Sequence, residues 1–213
     1  MRAEREFVET EIVDDPAAVA AALKDIGLSV AGVLAVRDIA LARFRDVGPF
    51  MPANAAGTMA YHHGVEAMRM QFVGDHYRMD RTGGIESIIS QDGKRKVVFQ
   101  NVDVASSKTM EPSPRSEKGS GLEQACTLNL FEALGVKLPR QVRQDNGVSA
   151  VFFIMVDDRG AVEVSRPVLK DGGFAGLVQR ILVSDGTDLE VEIKSKPLAA
   201  PAEDFNVSVK RKQ

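Results

Sequence analysis

The stretch from Gly84 to Ala105, GIESIISQDGKRKVVFQNVDVA, constrains the fold most. Two apolar runs flank Gln91-Asp92-Gly93, and an Asp-Gly step between such runs signals a hairpin. Two antiparallel strands are therefore expected. Side chains alternate between the faces of a strand. The second strand places Arg95, Val97, Phe99, Asn101 and Asp103 on one face, and Lys96, Val98, Gln100, Val102 and Val104 on the other. It enters basic, crosses an apolar core, and leaves with an amide and a carboxylate on one side. Asn101 and Asp103 thus form a candidate polar strand site.

Helices are expected before this hairpin. Asp15-Pro16 supplies an N-cap and a proline at the first helical position. Val19, Ala22, Leu23 and Ile26 then make an apolar stripe, and Gly27 suits the stop. Ser29 is placed to cap a second helix to about Asp46, with Val33, Val36, Ala40, Leu41 and Phe44 inward and Arg37, Arg43 and Arg45 on the surface. The short connection predicts an αα-hairpin. Thr58 is the expected cap of a third helix carrying Tyr61, Val65, Met68 and Phe72. Tyr77 to Arg81 reads as a short strand, and residues 1–13 as a strand or arm.

Residues 106–119, SSKTMEPSPRSEKG, are rich in Ser, Pro and charge. They predict a long loop or linker. The chain is read as one α+β domain over 1–213, or as two docked lobes, 1–105 and 120–213, joined by a flexible loop. Ser120 with Glu123 forms a capping box for one further helix. The last third predicts a β-meander. VFFIMV at 151–156 is apolar on both faces, which suits a central strand. Ala161–Val168 is its hairpin partner, Leu177–Val183 a third strand, and Leu189–Ile193 and Phe205–Val209 further ones.

A net charge of −3 over 213 residues gives no overall basic excess that would announce nucleic acid. The span 94–143 is nonetheless basic on balance, and the first fifteen residues are acidic. One cysteine, Cys126, excludes an intrachain disulfide and a cysteine-only zinc site. It falls on the apolar stripe of a helix, where packing is its expected role. The N-terminus lacks a signal-peptide pattern, and no apolar run is long enough to span a bilayer. A soluble, cytoplasmic protein with no membrane contact and no cofactor is expected.

Three groups of residues are candidates for chemistry. Cations, hydroxyls and glycine amides are what phosphate contacts use. Lys94, Arg95, Lys96, Lys108, Arg115, Lys118 and Ser120 are the candidate phosphate-binding residues, although no P-loop spacing is present. Asp75, Asp80, Glu86 and Asp103 with Lys94 and Lys96 form a candidate nuclease-like carboxylate set for Mg²⁺. His62, His63 and His76 are the candidate imidazole ligands, with Glu66 four residues after His62, but the HExxH spacing is absent. No metal site is assigned. No GxSxG elbow is present. Met59, Met68, Met70 and Met79 read as core filler or as an adaptable contact surface.

The functional expectation is a non-enzymatic binding protein for a phosphate-bearing partner, nucleic acid or nucleotide. The alternatives are a metal-dependent hydrolase or nuclease, and a protein-interaction or homo-oligomeric assembly subunit. The last predicts apolar side chains left uncovered on the monomer.

Overall fold

Asp15 starts the first helix as its sequence implies. The carboxylate accepts hydrogen bonds from the amides of Ala17 and Ala18, both at 3.0 Å. The computed structural model describes residues 10–116, 122–123, 126, 148 and 150–189. Helix α1 spans Pro16–Asp25, and Gly27 ends the turn at a φ of +78°, where only glycine sits without strain. Helix α2 spans Val30–Arg45, capped by the Ser29 hydroxyl on the Gly32 amide at 3.1 Å. Helix α3 spans Ala55–Phe72.

Three helical expectations need correction. The α3 cap is not Thr58: Asn54 holds the N-cap position, and the Thr58 hydroxyl donates back to the Asn54 carbonyl from within the helix. The axes of α1 and α2 cross at 90°, so they form a corner rather than an antiparallel hairpin. The corner lets Val19 and Leu23 of α1 and Val33 and Val36 of α2 reach one common core. Arg37 is buried rather than on the surface, because Asp38, Ser184 and Asp188 accept its hydrogen bonds. Among the described residues, no single helix is long and apolar enough to cross a membrane.

The described residues contain seven strands: β1 (Glu11–Val13), β2 (Tyr77–Asp80), β3 (Ser87–Ser90), β4 (Arg95–Asn101), β5 (Ala150–Val156), β6 (Val162–Lys170) and β7 (Gly173–Ser184). They form one mixed sheet in the order β1-β7-β6-β5-β4-β3-β2. The pairs β1/β7 and β4/β5 are parallel, and the rest are antiparallel. The fold class is α+β, with the β3/β4 hairpin and the β5–β7 meander where the sequence puts them. Leu189, expected in a strand, lies in a helical turn. The helix expected from Ser120 is described only at Leu122, Glu123 and Cys126, which are helical, and the strand expected at Phe205–Val209 lies outside the described residues.

Both faces of the sheet are covered, which explains why β5 is buried at every position. On one face Val97, Phe99, Phe152, Ile154 and Val164 pack under the helices. On the other, Val98, Val151, Phe153 and Met155 join Val102, Ala105, Cys126 and Val148. The sheet runs unbroken across the 106–119 segment, because β4 and β5 on its two sides are direct neighbours.

The described part of that segment is fastened down. The Asp103 carboxylate accepts from the Val104 and Ser113 amides, both at 2.7 Å, and turns the chain back on itself. The Ala105 amide donates to Asp157 at 3.2 Å and the Ser106 amide to Glu163 at 2.7 Å. The Met110 carbonyl accepts from Arg180 at 3.1 Å. Lys108 pairs with Asp14. We call residues 102–116 the strap.

Helix α3 reaches the sheet through Gly64. A Cβ there would stand 2.4 Å from the Phe99 ring. That ring is buried in the core and has no space to retreat into. Gly64→Ala is expected to destabilise the fold by about 1–3 kcal/mol through overpacking. Urea unfolding measures this directly. Adding Phe99→Leu should recover part of the loss, since the two changes share one contact. An unchanged midpoint in Gly64→Ala would contradict this packing.

Candidate functional site

The candidate phosphate residues do not converge. Adjacent positions on β4 point to opposite faces, so Arg95 and Lys96 are separated by the sheet. Arg95 donates to the Asp25 carbonyl at the end of α1, at 2.9 Å. Lys96 is buried on the strap side and pairs with the equally buried Asp80 at 2.8 Å. Lys108 is held by Asp14, and Arg115 bonds Asp158 at 2.6 Å and the Val102 carbonyl at 2.9 Å. The Lys94 carbonyl accepts from the Ala150 amide at 3.1 Å, at the start of the parallel pair. Lys118 and Ser120 lie outside the described residues. Of the polar strand residues, Asn101 donates to the Gly57 carbonyl at 2.8 Å, and Asp103 braces the strap.

The carboxylates are likewise dispersed. Asp80 also accepts from Thr82 at 2.7 Å and Ser87 at 3.0 Å. Burial alone would raise its pKa, but the bonds from Lys96, Thr82 and Ser87 outweigh it and hold the carboxyl down at about 2. Glu86 is clamped by Arg69 at 2.5 Å and Arg81 at 3.2 Å. His63 bonds Glu66 at 2.9 Å, while His62 turns its ring to Tyr61. His76 borders a separate hollow with Asp92 and Arg95. Among the described residues, no group of three or more His, Cys, Asp or Glu side chains is placed to hold a metal ion.

A groove of about 540 Å³ lies between the outer side of α3 and the edge strand β2. Tyr61 and Val65 form its floor from α3. Met70 and Met79 flank it, 74% and 57% exposed. Arg69, Arg81 and Glu86 make a paired charged rim. The Arg69 hydrogen bond is the main cause that draws the Glu86 pKa below its ordinary value. Desolvation, and then the Glu86 charge, raise that of Tyr61.

The methionines thus divide. Met68 is fully buried core, whereas Met59, Met70 and Met79 face solvent. Phe50 and Met51, in the α2–α3 connection, are exposed as well. Chemically the groove offers a polarisable apolar surface with a neutralised charged border. Neither a serine nor a cysteine lines it beside the His63–Glu66 pair. The grouping of Tyr61, Arg69, Arg81 and Glu86 was missed from sequence. Its only local trace is the run Tyr77-Arg78-Met79-Asp80, whose exposed centre marks an edge strand.

The Asp80–Lys96 pair gives a defined acid response. Asp80 sits at about 2 in the folded chain against an ordinary 3.8, so it contributes stability above about pH 4. That contribution, about 2 kcal/mol, is lost as pH falls from about 4 to about 2. Urea midpoints across this range should fall more steeply for the wild type than for Asp80→Asn, which should be less stable at neutral pH because Lys96 loses its partner. Parallel curves would contradict the linkage. Searches against protein-family models, curated protein sequences and solved structures found no significant match, so the functional reading rests on this chain's own geometry.

Proposed function

We propose that this protein is a protein-interaction module whose α3/β2 groove takes an apolar segment of a partner chain. The observation that carries the reading is the pair of exposed methionines, Met70 and Met79, flanking a groove floored by Tyr61 and Val65. Exposed apolar side chains gathered at one concave place are a docking signature. Methionine suits it, because its unbranched thioether adapts to different apolar shapes. The rim cations Arg69 and Arg81 are engaged with Glu86, so the groove favours side-chain burial over anion capture. The phosphate-bearing partner draws less support, since Arg95, Lys96, Lys108 and Arg115 have separate structural partners.

Selection from a random-peptide library tests the reading. Peptides with a leucine, methionine or aromatic anchor are the expected winners. Met70→Glu and Met79→Glu should each weaken their binding about ten- to a hundredfold, the range expected for losing one buried apolar contact. Peptides that bind the double variant equally well would reject the groove. Salt-sensitive binding of short DNA or RNA, lost on replacing Arg95 and Arg115, would favour the phosphate reading instead.

A further inference from the structure

The outer edge of β2 is bridged by Val73 at Tyr77 and open beyond it, at Met79. Among the described residues, β3 is the only strand paired with β2. The orientation of its backbone follows from one bond. The Gln91 amide donates to the His76 carbonyl, so residue 76 faces β3. Antiparallel ladders alternate. Arg78 and Asp80 therefore also turn their backbone groups towards β3, and Tyr77 and Met79 turn theirs away. The Tyr77 carbonyl is already taken, because the Gly74 amide donates to it at 2.8 Å. Met79 is left with an outward amide and an outward carbonyl that no described group meets. Its side chain is exposed on the helical face, next to exposed Met70 and Val73.

An open strand edge flanked by apolar side chains is a template for another strand. We infer that a second copy of this chain pairs with β2, antiparallel about a two-fold axis through Met79. The sequence Tyr77-Arg78-Met79-Asp80 selects that register. Centred on Met79, the two outward amides and carbonyls meet reciprocally. Arg78 then lies opposite the Lys96-paired Asp80 of the second copy, so no like charges meet. Centring on Arg78 would oppose two arginines and pair Met79 with Tyr77, whose carbonyl Gly74 occupies. Centring on Tyr77 would require a carbonyl that Gly74 occupies. In the Met79 register both helical layers lie on the same side of a continuous sheet, and Met70, Val73 and Met79 cover their counterparts. Such self-complementarity is what a two-fold interface requires.

This inference rests on reading the α3/β2 edge as an interaction surface, and names its occupant. Sedimentation velocity over a concentration series is the test. The expected mass is twice the 23.1 kDa of one chain, with dissociation on dilution. Met79→Pro removes the outward amide and the methionine side chain, changes that an edge strand tolerates. It should give a monomer with the wild-type circular dichroism. Met79→Lys, a solvated edge charge, is the second variant and should do the same if proline disturbs folding. A single-chain mass at every concentration overturns the second copy. So does a dimer that survives both substitutions. Peptide binding measured at concentrations where the chain is monomeric tests the groove separately, so the two readings fail on different results.

Discussion

Glu163 and Arg180 face each other across β6 and β7, with side chains 0% and 3% exposed. Two bonds join them, at 2.6 and 3.1 Å, and Ser165 adds a third to the carboxylate at 2.7 Å. A buried ion pair is seldom a net source of stability, but losing one partner costs about 3–5 kcal/mol because a charge is left bare. Here the pair also has a structural task. Glu163 takes the Ser106 amide, and Arg180 donates to the Met110 carbonyl. The strap is held over the sheet by these two side chains. Without it, the Val98, Val151, Phe153 and Met155 layer would lose part of its cover.

The two faces are therefore closed by different physics. The helical face is closed by shape: small residues such as Gly32 and Gly64 let α2 and α3 approach rings of Phe72 and Phe99. The strap face is closed by Glu163 and Arg180, which fasten the strap over an apolar layer, and the same face buries the Lys96–Asp80 pair between β4 and β2. The strap-face closure uses up charged groups that a ligand would otherwise meet. What stays open is lateral: the β2 edge and the outer side of α3, with their uncovered methionines. The interaction reading follows from this division.

The local signals were legible. Asp15, Ser29 and Gly27 bound α1 and the start of α2 as their chemistry demands, and Asp92-Gly93 makes the hairpin. The all-apolar VFFIMV run is a central strand because both faces are buried. What escaped was long-range. The run Lys94-Arg95-Lys96 reads as a solvated basic patch, yet alternation sends its members to opposite faces, and nothing local reveals that both are covered. The strap reads as a free loop because its Ser, Pro and charged residues have no neighbours to satisfy them nearby. Its fasteners lie 57 and 70 positions away along the chain. The parallel β4/β5 pairing is hidden for the same reason. The groove depends on which strand ends the sheet, a property of topology that no single segment contains.

Cys126 offers the most direct test of the closed strap face. It is the chain's one cysteine, fully buried in the same apolar layer, and burial pushes its thiol above the ordinary range. Its labelling rate with a thiol reagent under native conditions reports whether that cover stays shut. The wild type should label only as fast as it opens, and Glu163→Gln should label much faster while the sheet's circular dichroism persists. Rapid labelling of the wild type, or equal slow rates in both proteins, would contradict a strap face closed in this way.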